Sequence, residues 1–271
     1  MSPIFHEVAE TAMGCDWRLL EYEPCDPWWN MAVDEALFQS FRPGIAPPTL
    51  RFYGWIAPAI SLGRLQNLEG SVRLDVCRER GIALVRRPTG GRAVLHGTDL
   101  AFCIVKGNNG QSVEASYVDI SRAVVEALRR VGAPVELASA PTDNGRLRRV
   151  PNCFDVAASF EVTLEGKKIL GSAQARGNDR SLQQNSLMLQ APTSDNLNAF
   201  VGESLKCGRN AAWRLDHNEV ARALCDAVSN RFRANLWPGQ LTTEERRLAE
   251  DLLSAKYSRE EWTLHARPAI R

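Results

Sequence analysis

The sequence predicts a protein of the α+β class, a mixed α/β sheet sandwich in which helical and strand segments alternate irregularly. Three observations carry this. Stretches with apolar residues at helical spacing are separated by short β-rich runs, the pattern of helices packed on sheet. From Phe160 to Leu189 alternating segments joined by turn residues read as an antiparallel meander. No internal repeat or low-complexity tract organises the remainder, which argues against solenoids and propellers. A chain of 271 residues, 44% hydrophobic and 24% charged, has enough material for one large core and an appendage.

The elements follow in order. "WRLLEYE" (17–23) reads as a strand, and "DPWWNMAVDEALFQSF" opens a helix with Asp26 as N-cap and Pro27 at its first position. Trp29, Val33, Ala36, Leu37 and Phe41 share its apolar face, which leaves Asn30, Asp34 and Glu35 on or near the polar side, Asp34 and Glu35 on a solvated face, while Trp28 and Trp29 suit core or rim. "TLRFYGW" and "AISLG" are strands around Ile56-Ala57-Pro58, followed by a short helix near "VRLDVCRERG" and strands near 82–87, 92–95 and 99–106. Tyr117, Ile120, Val124, Leu128 and Val131 recur at helical spacing, with Gly132 at the position of a helix-ending glycine.

After "PVELA" a polar loop, "SAPTDNGRLRRVPN", leads to Cys153. The meander turns at Glu165-Gly166 and again at Gly177-Asn178-Asp179. Two helices close the chain, one with Asp216 and Glu219 and one with Thr242 and Glu245 at capping-box spacing. "LWPGQL" between them reads as a linker, which divides the chain into a main domain, 1–235, and a small helical extension, 236–271.

Composition narrows the function classes. Thirty-three basic and thirty-two acidic side chains leave a formal charge of +1, so no global field suggests nucleic acid or a membrane surface. The seven cysteines are scattered without a Cys-x-x-Cys, which argues against a disulfide framework or a zinc site and for a reducing cytoplasm. The N-terminal segment has neither a basic nor an apolar signal region, and no apolar run approaches a membrane span, so secretion and insertion are not expected.

Two stretches carry chemistry. "RRPTGGRAVLH" (86–96) places Pro88, Thr89, Gly90 and Gly91 in a tight loop flanked by Arg86, Arg87 and Arg92. Such a loop suits a phosphate, a carboxylate or a carbonyl oxygen that becomes negative during reaction, and it suits equally a hairpin turn with solvated arginines. It matches neither a Walker A loop nor Gly-x-Gly-x-x-Gly. "GKKILGSAQAR" runs from Lys167 and Lys168 into Gly171, Ser172 and Ala173, small residues against which a ligand chain can lie. Alternation sends the two lysines to opposite faces, so only one points inward.

"RRPTGGRAVLH" and "GKKILGSAQAR" in this order, with "NMAVDEAL" and the terminal "KYSREEW", closely resemble the signatures of the biotin/lipoate protein ligase superfamily. The likeness runs from about Trp17 through "EEWTLHAR". Within it, "TGGRAVLH" and "NCFDVAASFEVTLEGKKILGSAQ" look most like the cysteine-dependent octanoyltransferases of lipoate assembly. Ligases of that fold usually read Ser/Thr-Gly-Gly-Gly-Ala-Val with a following His-Asp, where this chain has Arg92 and His96-Gly97, and they lack the loop cysteine.

The resemblance implies the ligase catalytic-domain fold and an acyl pocket between the "GSAQ" strand (Gly171, Ser172, Ala173) and the loop, with Arg87, Thr89, Gly90, Gly91, Arg92, Ala93 and His96 as substrate-binding residues. Cys153 matches the family nucleophile and Lys168 its lysine. The implied reaction moves an octanoyl group from octanoyl-acyl carrier protein to a lysine of a lipoyl carrier, either glycine-cleavage H protein or a dehydrogenase E2 subunit. No ATP, cofactor or metal is expected. His96 either relays protons or holds the loop through a backbone hydrogen bond. Three alternatives stay open: an ATP-dependent lipoate or octanoate ligase, transfer between two lipoyl carriers, and a non-catalytic acyl or carrier-binding module.

Overall fold

The computed structural model describes residues 15–138, 161–190, 199–200 and 213–266. The first strand, β1 (Cys15–Cys25), leads through the Asp26 cap into α1 (Pro27–Ser40), with the Asp26 carboxylate accepting from the Trp29 N–H at 2.7 Å. Then come β2 (Thr49–Trp55), β3 (Ala59–Leu62), α2 (Leu74–Glu79), β4 (Ala83–Arg86), β5 (Val94–His96), β6 (Asp99–Gly107), α3 (Val113–Arg130) and β7 (Val135–Leu137). The second half has β8 (Val162–Leu164), β9 (Lys167–Lys168), β10 (Leu170–Arg176), β11 (Arg180–Met188), α4 (His217–Phe232), β12 (Ala234–Pro238), α5 (Thr243–Leu252), a π-helical turn Leu253–Tyr257, and α6 (Glu260–His265).

Six strands form the main sheet in the order β10-β11-β6-β2-β1-β12. Small three-stranded sheets, β4-β3-β5 and β7-β8-β9, flank it. Strand β6 shows why the main sheet sits at the centre. Its Leu100, Phe102 and Ile104 pack with Ile120, Val124 and Leu128 of α3 and Leu224 and Val228 of α4. Its Ala101, Cys103 and Val105 point the other way, into Met31, Val33 and Leu37 of α1 and Tyr257 and Trp262 of the C-terminal helices. Period-two alternation with both faces apolar therefore yields a helix–sheet–helix sandwich. A third cluster, with Ile60, Leu62, Val76 and Ile82, lies under the small sheet that carries the Gly-Gly loop.

The turn expected at Glu165-Gly166 is present with both residues at positive φ (51° and 71°), the two-residue geometry that matches strand twist. Gly132 (φ 82°) follows α3 as expected. Thr242 and Glu245 close a reciprocal capping box at α5.

Two readings are corrected. The first three residues of "LWPGQL" (236–238) complete strand β12, which pairs in parallel with β1 from Cys15↔Ala234 to Leu19↔Pro238 at the edge of the main sheet. Pro238 is tolerated there because it ends an edge strand. The polar side of α1 is not solvated: Asn30 and Asp34 are fully buried against β2, and Glu35 accepts from Lys256 and from the Tyr257 hydroxyl. Their partners come from distant strands and helices, which helical periodicity does not register.

The C-terminal helices are fastened by buried polar contacts. Arg18 of β1 donates to both carboxylate oxygens of Glu245 at 2.6 and 2.8 Å and to Thr49. Removing one partner of such a pair strands the other charge in the interior. Glu245→Ala is expected to cost about 3–5 kcal/mol in urea unfolding, whereas the exposed Glu244→Ala leaves the midpoint unchanged.

Candidate active site

Arg86 ends β4, Arg87 follows it, and the two do different work. Arg86, 1% exposed, donates to the carbonyls of Trp262 and Thr263 at 3.1 and 3.0 Å and to Gly63 and Gln66 at 2.7 and 2.8 Å. It ties α6 to the loop base rather than facing a ligand. Arg87 turns into the loop itself: Nη2 reaches Gly90 O at 2.6 Å and Arg92 O at 2.7 Å, Nη1 reaches Ser61 O at 2.9 Å, and Nε reaches Thr89 Oγ1 at 3.2 Å. The expected free positive field is thus largely spent on loop carbonyls.

Two glycines permit this packing. Gly91 sits at φ 87°, where a side chain would be strained and its Cβ would lie 2.9 Å from Arg87 Nη2. Gly63 has the tighter constraint, since a Cβ there would come within 1.9 Å of the Gly91 carbonyl oxygen. No local pattern marks Gly63, which in the sequence is only the end of "AISLG". Arg92 is half-buried, and its Nη1 has no hydrogen-bond partner among the described residues.

Behind the loop lies a buried network. Thr89 Oγ1 donates to Gln184 Oε1 at 2.7 Å, and Gln184 Nε2 donates to Asp34 Oδ2 at 2.7 Å. Asp34 also accepts from Arg51 Nη1 at 2.6 Å, the Tyr53 hydroxyl at 2.9 Å and the Cys103 thiol at 3.1 Å. Burial, and then the Asp34 carboxylate, push the Tyr53 hydroxyl and the Cys103 thiol well above their ordinary ranges, so both stay protonated donors.

In front of the loop is a small, partly open cavity of about 30 Å³. Arg87, His96, Gly171, Ser172 and Ala173 line it together with Met31, Trp55, Ser61 and Val94. The paired strands β10 and β11 supply one wall, with Ser172 Oγ held by Asn185 Oδ1 at 2.8 Å. The other wall comes from β3 and β5. Thr89, Gly90 and Gly91 shape the loop, while Ala93 is packed into the apolar cluster beneath it. Lys168 is outside the lining: it sits in β9, buried, and donates to Glu161. Cys153 lies outside the described residues.

Among the described residues, the partners of His96 are side chains rather than a backbone carbonyl. Its Nδ1 is 2.7 Å from Asp99 Oδ2, its Nε2 is 2.8 Å from Ser61 Oγ, and its ring stacks on Trp55 with centroids 4.0 Å apart. Burial alone would raise the Asp99 carboxyl, but His96 together with the Ser186 hydroxyl (2.6 Å) and Gly97 N–H (3.0 Å) hold it below the ordinary carboxylate range. Ser61, Asp99, Gln184 and Ser186 were not singled out in the sequence. The spacing of Asp99 three residues beyond His96, across a glycine turn, was the one local signal.

The Lipoyl protein ligase A/B catalytic domain family matches residues 26–221. The chain belongs to this family. Octanoyltransferase LipM of Moorella thermoacetica is 36% identical over 91% of this chain and 97% of that protein. A T. acidophilum protein solved with bound lipoic acid superposes with a TM-score of 0.79 at 29% identity, covering 92% of this chain and 99% of that one. A lipoate-protein ligase A bound with ATP gives 0.81 at 27% identity, covering 93% and 100%. The fold is thus the lipoate-ligase catalytic fold, and the protein is a transferase enzyme. Among the described residues no helix is long and apolar enough to cross a membrane, and no cluster of three metal-ligating side chains occurs.

Two outcomes follow from the geometry. Gly63→Ala forces the Gly91 carbonyl aside, so acyl transfer falls by at least about tenfold while circular dichroism stays native. The lowered Asp99 carboxyl contributes stability that is complete above the ordinary carboxylate range and is lost as pH falls through its lowered value. The urea-stability gap between wild type and Asp99→Asn is therefore expected to be widest near neutral pH and to close in acid.

Proposed function

We propose that this protein transfers an octanoyl group from the thioester of octanoyl-acyl carrier protein to a lysine of a lipoyl carrier, such as glycine-cleavage H protein or a dehydrogenase E2 subunit, through a thioester on Cys153. The supporting observation is the cavity against the Gly-Gly loop, walled by Met31, Trp55, Val94 and Ala173, in a chain 36% identical to an octanoyltransferase. A saturated acyl chain suits apolar walls, each buried methylene contributing about 0.8 kcal/mol.

In this reading the Cys153 thiolate attacks the donor carbonyl, the carrier thiol leaves, and the acceptor amine then attacks the enzyme thioester. Loop N–H groups around Gly90 to Arg92 stabilise the oxygen that turns negative in each tetrahedral intermediate. Lys168, matched to the family lysine and ion-paired with Glu161 outside the cavity lining, is the residue assigned to support the thiolate. Moving a thioester to an amide is downhill, so no ATP is consumed.

An ATP-dependent ligase is the second reading, favoured by the likeness to the ATP-bound ligase. Against it stand Arg86 and Arg87, whose guanidiniums are engaged with backbone carbonyls.

Intact mass after incubation with octanoyl-acyl carrier protein, without ATP, decides between them. One octanoyl group on wild type and none on Cys153→Ala is the expected result; acylation of a lipoyl domain only with free acid and ATP would make the protein a ligase. Octanoyl-H protein replacing the carrier protein as donor tests transfer between lipoyl carriers. Lys168→Ala is expected to slow adduct formation. A hexanoyl donor, two methylenes shorter, is expected to bind about tenfold more weakly.

A further inference from the structure

Ser61, His96 and Asp99 have a geometry that transfer through Cys153 leaves unused. Strand β3 pairs antiparallel with β5, and β6 begins three residues after His96, so three separate strands bring these side chains together, Ser61 and His96 at the cavity wall and Asp99 behind them. Ser61 Oγ lies 2.8 Å from His96 Nε2, and His96 Nδ1 lies 2.7 Å from Asp99 Oδ2. That is the order and spacing of nucleophile, base and orienting carboxylate in serine hydrolases.

The surroundings fit the same roles. The Ser186 hydroxyl and Gly97 N–H fix Asp99 in place, at 2.6 and 3.0 Å. An acceptor on that side holds the imidazole proton on Nδ1 and leaves Nε2 to receive the serine proton. Trp55 stacks on the ring with an interplanar angle of 23° and keeps its plane. Arg87 Nη1, 3.2 Å from Ser61 Oγ, puts positive charge beside the oxygen as it loses its proton. Both Ser61 and His96 line the cavity.

We propose that Ser61 is a second nucleophile, activated by His96 and Asp99, which hydrolyses acyl thioesters and esters that enter the cavity. Oγ adds to the acyl carbonyl carbon while its proton passes to His96 Nε2. The intermediate collapses with cleavage of the C–S bond, and the departing thiol takes that proton, leaving an acyl ester on Ser61. Water, deprotonated by His96, then attacks the ester, releasing the carboxylic acid and restoring the hydroxyl. The net change is thioester plus water to acid plus thiol. This goes beyond the transfer reading and requires no participation of Cys153.

The test treats the full-length protein with an alkyl fluorophosphonate and maps the modified peptide by mass spectrometry. One phosphonate on Ser61 is expected, retained in Cys153→Ala and slowed at least about 100-fold in Asp99→Asn. In parallel, Cys153→Ala is expected to hydrolyse p-nitrophenyl octanoate, and Cys153→Ala/Ser61→Ala is expected to lose that activity. No label on Ser61 of the folded wild-type protein overturns the proposal, and this measurement needs no substitution that could impair folding. Ester hydrolysis by Cys153→Ala that is undiminished when Ser61 is also removed overturns it as well. The transfer reading fails separately, by absence of an octanoyl adduct on Cys153, so the two failures are distinguishable.

Discussion

The Asp34 carboxylate is the constraint around which the site is arranged. It is fully buried, and four donors from β2, β6 and β11 converge on it: Arg51, Tyr53, Cys103 and Gln184. A charge at that depth is tolerable only when it is paired and its remaining lone pairs are filled. Satisfying it therefore fixes α1 against the main sheet. It also fixes Gln184, and through Gln184 the Thr89 hydroxyl, so the Gly-Gly loop is held in place from the protein interior.

The front of the loop is held by backbone chemistry. Arg87 converts what the sequence offers as a positive patch into an internal clamp, gathering the Gly90, Arg92 and Ser61 carbonyls around one planar guanidinium. Gly63 and Gly91 let the chains come close enough for that clamp to close. The outcome is a small cavity with largely apolar walls and a few polar groups in set positions.

One cavity wall also concentrates polar side chains that have no role in binding a hydrocarbon. The Ser61–His96–Asp99 line and Ser186 satisfy one another by hydrogen bonding, which makes their burial affordable. The same bonds align the imidazole toward a hydroxyl at the cavity surface. A polar chain that stabilises the wall can in this way also be poised to react.

The sequence by itself determined the local elements and the family. The Asp26 cap, the Gly132 stop, the Glu165-Gly166 turn and the Thr242/Glu245 box depend on neighbours a few residues away, so each was legible from spacing. The two motifs identified the family because their residues are contiguous. Tertiary structure decided everything that depends on long-range pairing. Asn30, Asp34 and Glu35 look like a solvated helix face until Arg51, Lys256 and Tyr257 arrive from other elements. "LWPGQL" looks like a linker until β1 offers it an edge. Ser61 is an unremarked strand serine until β5 and β6 bring His96 and Asp99 to it. Hydrophobic periodicity records which way a residue faces along its own element, whereas the worth of a buried polar group is set by a partner whose position only the folded chain defines.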